Sequence, residues 1–232
     1  MLEADRTANA HHALRIAIAD ARIMAVVSID HEPDAVPLLN ALVAGGVRVI
    51  EVALRTPAAL SALAAMKQLA PEILVGAGTV ITLRQADAAK AAGASFALAP
   101  GFDAETVRYC AEIDLPFVPG IATATDIQHA VGLGCTLLKV FPAEALGGVT
   151  GLRTLSAPFA HLQLRYVALG GIHATNLPGY LAEECVAAVG GSWMAPPDLI
   201  RQRAWNEIQT RTAAAVALAE ISRPVGERRA SL

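Results

Sequence analysis

Short apolar runs rich in β-branched residues alternate with Ala-rich stretches of helical period along most of the chain. Strand-like runs fall at residues 23–29, 47–54, 73–76, 95–99, 117–120, 136–141, 164–169 and 186–189. Between them the pattern predicts helices over 33–43, 57–69, 82–92, 104–113, 124–133 and 176–184, with a less regular stretch at 147–157. Gly45-Gly46 and Gly93 stand where helices stop, and Pro57 stands where proline opens one. A further helix over 7–20 precedes the first strand and is expected to close the bottom of the sheet. Residues 197–221 follow the last strand as one long or broken helix. From Arg223 the chain is charged and contains Pro and Gly, so residues 223–232 are expected to be a disordered tail.

Eight strand–helix units of roughly 20–25 residues each are the arithmetic of an α/β chain folded as a (β/α)8 TIM barrel. A doubly wound open sheet is the competing arrangement, and it wants a GxGxxG turn after the first strand. Ser28-Ile29-Asp30-His31 stands there instead. No linker, low-complexity tract or charge run divides the chain, so residues 1–222 read as a single barrel domain with an extra N-terminal helix.

Composition narrows the function classes. Of 232 residues 54% are hydrophobic and only 4% aromatic, so small aliphatic side chains fill the interior, as layered parallel sheets require. The net charge of −3, with both signs interspersed, builds no basic face for nucleic acid. No apolar stretch reaches the length of a membrane span. Glu3 and Asp5 stand where a signal peptide wants basic residues, which leaves the cytoplasm as the expected compartment. Cys110, Cys135 and Cys185 form no CxxC pair and read as reduced core thiols; a catalytic thiol would need a His partner that the sequence does not indicate. His11, His12, His31, His129, His161 and His173 include no HExxH spacing, so no metal site is indicated. His11-His12 reads as part of a solvated helix face.

In a barrel of this kind the chemistry sits at the C-terminal ends of the strands. Those positions hold Glu51 within the second strand, Arg55 just past it, Thr79 after the third, Pro100 after the fourth and Thr123 beyond the fifth. Lys139 lies near the end of the sixth. The other two lysines, Lys67 and Lys90, fall on helical stretches where an ammonium is solvated, whereas Lys139 stands inside the apolar string Leu137-Leu138-Lys139-Val140-Phe141. Burying an ammonium there is costly unless it is paired or neutralised. Desolvation favours the neutral amine, which is the form that attacks a ketone. A strand-end lysine that snorkels to water or closes an ion pair fits the same string. Glu51 interrupts an otherwise apolar strand and can point into the lumen, where it could shuttle protons or pair with Lys139 or Arg55. Arg55 offers a bidentate clamp for a substrate carboxylate. Gly170-Gly171 and Gly190-Gly191-Ser192 end the seventh and eighth strands, where backbone N–H groups can approach a phosphate.

These residues stand in strings that resemble the 2-keto-3-deoxy-6-phosphogluconate (KDPG) aldolase family, also described as acting on 4-hydroxy-2-oxoglutarate (KHG). The strings are LVAGGVRVIEVALRTP (42–57), VGAGTV (75–80), LAPG (98–101), VPGIAT (118–123), LKVFPAE (138–144), LGGI (169–172) and GGSW (190–193). The resemblance implies a metal-independent class I aldolase, without cofactor, that splits a phosphorylated keto acid into pyruvate and glyceraldehyde 3-phosphate. It implies that Lys139 forms the Schiff base, that Glu51 is the general acid/base, and that Arg55 and Thr79 hold the pyruvoyl carboxylate. It further implies that Pro100 and Phe141 shape the pocket, that Gly170, Gly171, Gly190, Gly191 and Ser192 cradle the phosphate, and that the assembly is a homotrimer. Leu169 stands where gluconate-type members commonly place Thr, and Leu146 where Asn is common. The 6-phosphogalactonate epimer and 4-hydroxy-2-oxoglutarate therefore stay open as alternative substrates. A sugar-phosphate-binding barrel isomerase, or an inactive binder, is the alternative from another class.

Overall fold

The computed structural model describes residues 2–222, with side chains from residue 11 onward. Its strands are β1 (Ile23–Val27), β2 (Val49–Ala53), β3 (Leu74–Gly78), β4 (Ala97–Leu98), β5 (Phe117–Val118), β6 (Gly120–Ile121), β7 (Leu137–Val140), β8 (Arg165–Leu169) and β9 (Val186–Gly191). Every pairing is parallel, in the order β5-β4-β3-β2-β1-β9-β8-β7-β6. The two ends of that row are consecutive pieces of one strand, interrupted at Pro119, which has no N–H to give to a ladder. β5 pairs with β4 and β6 with β7, while the Lys139 N–H donates to the Pro119 carbonyl at 2.8 Å. The sheet thus closes into a barrel, as the sequence pattern predicts, with its fifth strand held in two short segments.

The helices are α1 (Leu2–Ala21), α2 (Ala35–Ala44), α3 (Ala59–Leu69), α4 (Leu83–Ala91), α5 (Ala104–Glu112), α6 (Ala124–Gly132), α7 (Gly148–Ser156), α8 (Leu177–Leu181), α9 (Pro197–Arg201) and α10 (Trp205–Ile221). Side-chain alternation sorts the core into two clusters. Met24, Val49, Phe96, Leu98, Val118, Leu137 and Val167 fill the lumen, and Leu14 and Ile18 of α1 plug its lower end. Ile23, Ala25, Ile50, Val52, Val75 and Ala77 pack outward beneath the helices. In β2 this alternation puts Glu51 on the lumen side with Val49, between the outward-facing Ile50 and Val52. Gly76 keeps the lumen open for Phe96, because a Cβ there would overlap its ring.

Polar side chains start three of the helices. Thr82 caps α4, Asp103 caps α5, and Thr123 closes a capping box with Asp126 on α6. Thr123 is therefore committed to its helix. Hydrogen bonds from Thr106 hold the Asp103 carboxyl below its ordinary pKa. Lys67 and Lys90 do more than meet solvent: Lys67 Nζ donates to the Pro71 and Ile73 carbonyls at 2.8 and 3.0 Å, and Lys90 Nζ to the Asp114 carbonyl at 2.6 Å.

Several expectations change in detail. The stretch at 147–157 is not irregular but forms α7, followed by a 3-10 segment (Ala157–Leu162). Its glycines masked the helical pattern: Gly147 and Gly148 adopt φ of 96° and 64° to turn the chain in, and a Cβ on Gly151 would overlap the Leu146 carbonyl. The helix expected at 176–184 is only the five residues of α8. The C-terminal helix breaks between α9 and α10, where Arg203 has φ of 53°. His12 is exposed, but His11 is half-buried, and burial pushes its imidazole pKa down. Cys110 and Cys135 are buried, which pushes their thiols up to about 12 and about 11, so neither is poised as a thiolate. The tail at 223–232 lies outside the described residues. Among the described residues no helix is long and apolar enough to cross a membrane.

Candidate active site

Because every strand runs parallel, all their C-terminal ends open on one face. A cavity of about 400 Å³ lies there. It is lined by Glu51, Arg55, Thr79, Pro100, Lys139, Phe141, Gly170, Gly171, Gly190, Gly191 and Ser192, so the fold brings all the nominated residues together.

Lys139 and Glu51 come from strands on opposite sides of the barrel, 88 residues apart in sequence, and meet in its lumen. Lys139 Nζ donates to Glu51 Oε1 at 3.3 Å, with side-chain exposures of 6% and 3%. That is longer than a tight charge-assisted hydrogen bond. Glu51 Oε2 is buried and has no hydrogen-bond partner among the described residues. The Phe141 ring centroid lies 5.3 Å from Nζ, close enough for its face to favour a cation. The amine therefore sits in apolar surroundings with one carboxylate beside it and one carboxylate oxygen free.

Gly78 makes this arrangement possible. A Cβ at that position would overlap Glu51 Oε1 and stand 2.6 Å from its Cγ. Gly78→Ala is therefore expected to push the carboxylate away from Lys139, lowering kcat by about 10²-fold and also the thermal stability, because the buried pair is separated. A variant with wild-type kcat would show that the position of Glu51 is immaterial.

Arg55 lies at the rim, exposed, and its Nη2 donates to Ser28 Oγ at 3.0 Å. Thr79 turns the chain out of β3 with φ of 60°, a left-handed conformation that costs a β-branched residue about 1–3 kcal/mol. The neighbouring Val80 N–H donates to the Leu98 carbonyl at 3.1 Å and holds that turn.

The opposite wall is backbone. Gly170 and Gly171 have φ of 96° and 80°. A Cβ on Gly170 would lie 2.8 Å from Pro142 Cα, and one on Gly171 2.7 Å from Glu144 Cβ, so glycine is required at both. Glu144 belongs to the loop after β7, where its carboxylate accepts a 2.6 Å hydrogen bond from the buried Tyr180 hydroxyl. The Ala143 and Glu144 N–H groups donate to the Leu169 and Gly170 carbonyls at 2.7 and 3.0 Å. Among the described residues the amide groups of Gly171, Ile172, Ser192 and Trp193 donate no hydrogen bond, which leaves a row of N–H donors at this end.

Sequence reasoning marked Leu169 as a departure beside the substrate, and it lines the cavity; it missed Val26, Ile172, His173, Trp193 and Pro196. Ile172 and Trp193 lie within the family strings, but their neighbours carried the signal. Ser28 and His173 are lone polar residues beyond strand ends, with nothing in the sequence to separate them from ordinary loop residues. Among the described residues no three His, Cys, Asp or Glu side chains cluster as a metal site would need.

Comparison with known proteins matches this architecture. The aldolase family described as KDPG and KHG aldolase matches residues 15–211. The 2-dehydro-3-deoxy-phosphogluconate aldolase of Treponema pallidum is 43% identical over 187 residues, covering 81% of this chain and 88% of its own. The enzyme of the same name from Pseudomonas aeruginosa is 38% identical over 82% of this chain and 86% of its own. A KDPG aldolase from Legionella pneumophila, with pyruvate captured at low pH as a covalent carbinolamine intermediate, superposes with a TM-score of 0.82 at 38% identity, covering 85% of this chain and 95% of that one. The Zymomonas mobilis 2-keto-3-deoxy-6-phosphogluconate aldolase with 3-phosphoglycerate gives 0.80 at 36% identity, over 90% and 95% of the two chains. Sequence and fold agree over four-fifths of the chain or more in each case, and the chain belongs to the KDPG and KHG aldolase family.

Proposed function

We propose that this cavity cleaves 2-keto-3-deoxy-6-phosphogluconate to pyruvate and glyceraldehyde 3-phosphate, with Lys139 as the Schiff-base nucleophile. The observation that carries the reading is the buried Lys139–Glu51 pair at the mouth of the barrel. The neutral amine adds to the C2 carbonyl, and the carbinolamine loses water to form an iminium. Removal of the C4 hydroxyl proton turns C4 into an aldehyde as the C3–C4 bond breaks, and the electron pair passes into the iminium to leave an enamine. Protonation at C3 and hydrolysis release pyruvate and the free amine. Each step moves a proton close to Nζ. Glu51 suits that work: Oε1 faces the amine, and Oε2 has no other engagement. No step calls on a metal or cofactor. The carbinolamine captured in the Legionella pneumophila neighbour is an intermediate of this sequence, which supports the same path here.

At one end Arg55 and Thr79 would hold the pyruvoyl carboxylate, while Pro100 and Phe141 press on the imine. At the other, the turns built by Gly170, Gly171, Gly190, Gly191 and Ser192 would receive the phosphate on the free N–H groups of Gly171, Ile172, Ser192 and Trp193; the 3-phosphoglycerate in the Zymomonas mobilis neighbour supports a phosphorylated ligand. Leu169, buried beside them, offers hydrocarbon rather than a hydroxyl to the sugar carbons. The same reading includes a cytoplasmic homotrimer, which sedimentation equilibrium of the purified protein tests.

The direct test is peptide mass spectrometry after incubation with pyruvate and sodium borohydride. A reduced pyruvoyl adduct is expected on Lys139, and folded protein without an adduct would count for the sugar-phosphate-binding alternative. Arg55→Ala is expected to raise KM by about 10- to 100-fold with a smaller change in kcat, as loss of a charged hydrogen bond to the bound substrate does. An unchanged KM would remove Arg55 from the carboxylate site.

A further inference from the structure

The charges lining the cavity are unevenly placed. Three of its side chains can be cationic, Lys139, Arg55 and His173, and Glu51 is the one carboxylate among its lining residues. Lys139 is committed to Glu51, and Arg55 to Ser28 beyond β1. Neither belongs to the glycine turns where the phosphate is placed under the reading above, on which the present inference rests. A phosphate monoester carries about −1.5 to −2 charges at pH 7. Amide groups and the Ser192 hydroxyl meet it with partial charges only. His173 is the single ionisable lining residue on that side, one residue beyond the Gly170-Gly171-Ile172 turn.

Hydrogen bonds tie His173 to the turn and orient its ring. The His173 backbone N–H donates to Asn176 Oδ1 at 2.8 Å, and Asn176 Nδ2 donates to the Gly171 carbonyl at 3.2 Å, so Asn176 ties the His173 backbone to the glycine turn. Nδ1 lies 2.9 Å from Thr175 Oγ1. A hydroxyl can accept from Nδ1–H or donate to a bare Nδ1, so Thr175 accommodates both the imidazolium and the tautomer protonated at Nε2. In the imidazolium and in the Nε2-protonated tautomer Nε2–H is a donor, and among the described residues Nε2 has no partner; an anion beside Nε2 selects these states over the tautomer protonated at Nδ1 alone.

We propose that His173 is a specificity-determining residue whose Nε2–H binds the substrate phosphate, making the enzyme selective for phosphorylated keto acids. The test compares kcat/KM of the wild type, His173→Ala and His173→Gln on the phosphorylated substrate and on its dephosphorylated analogue. The wild type prefers the phosphorylated compound. His173→Ala is expected to lose about 10- to 100-fold on it, mainly through KM, while the rate on the analogue moves by less than about threefold. Inhibition by inorganic phosphate weakens in parallel, and His173→Gln, which keeps an N–H donor, recovers part of the loss. A phosphate preference undiminished in His173→Ala, or an equal loss on both substrates, overturns the proposal alone. A wild type without preference removes the phosphate from the functional reading, and the proposal with it.

Discussion

Lys139→Ala is expected to abolish turnover, by about 10⁵-fold or more, because no other amine in the cavity can form the imine. Arg55 is the nearest alternative in charge, but a guanidinium stays protonated and is no nucleophile. The substitution also leaves Glu51 buried with its Lys139 partner gone, so the variant is less stable and its fold needs checking by circular dichroism. Pyruvate with borohydride should leave the variant unmodified. An adduct on the folded variant, or a rate within tenfold of the wild type, would take Lys139 out of the mechanism.

Glu51→Gln should retain the shape of the site and its hydrogen bond to Nζ while losing the ability to take up a proton. A slowing of about 10²- to 10⁴-fold is expected. The same variant should exchange the methyl protons of pyruvate with heavy water correspondingly slowly, because under the proposed mechanism enamine formation and reprotonation at C3 use the same carboxylate. Proton NMR of pyruvate follows that exchange without any aldehyde partner. Wild-type exchange would reduce Glu51 to an ion-pair partner of Lys139, the other role open to it from sequence.

The barrel and its catalytic end were legible because the chemistry interrupts the pattern. An acid within Val49–Ala53 and a lysine within Leu137–Val140 are the only charged residues in two apolar strands, and alternation alone turns Glu51 inward. The glycine turns were legible for a related reason, since side-chain atoms are excluded where the loop after β7 packs against Gly170 and Gly171. Three things were not legible. The 117–120 run reads as one strand, yet Pro119 divides it and sends each half to a different neighbour. The α7 helix was hidden by the glycines it needs at its start. Ser28 and His173 acquire meaning only from Arg55 and from the glycine turns proposed to hold the phosphate, partners set by tertiary structure.

The division at Pro119 has a consequence for the chain as a two-part object. Glu51, Arg55, Thr79 and Pro100 precede it, while Lys139, Phe141, His173 and both glycine turns follow it. Cut in the connection between α5 and β5, the polypeptide would yield one fragment bearing the proposed carboxylate clamp and proton carrier, and another bearing the proposed nucleophile and phosphate cradle. Neither holds a complete catalytic set, so aldol cleavage would signal only their reunion. Fused to two interacting partners, such fragments would form an enzymatic reporter of association whose background is set by spontaneous reassembly alone.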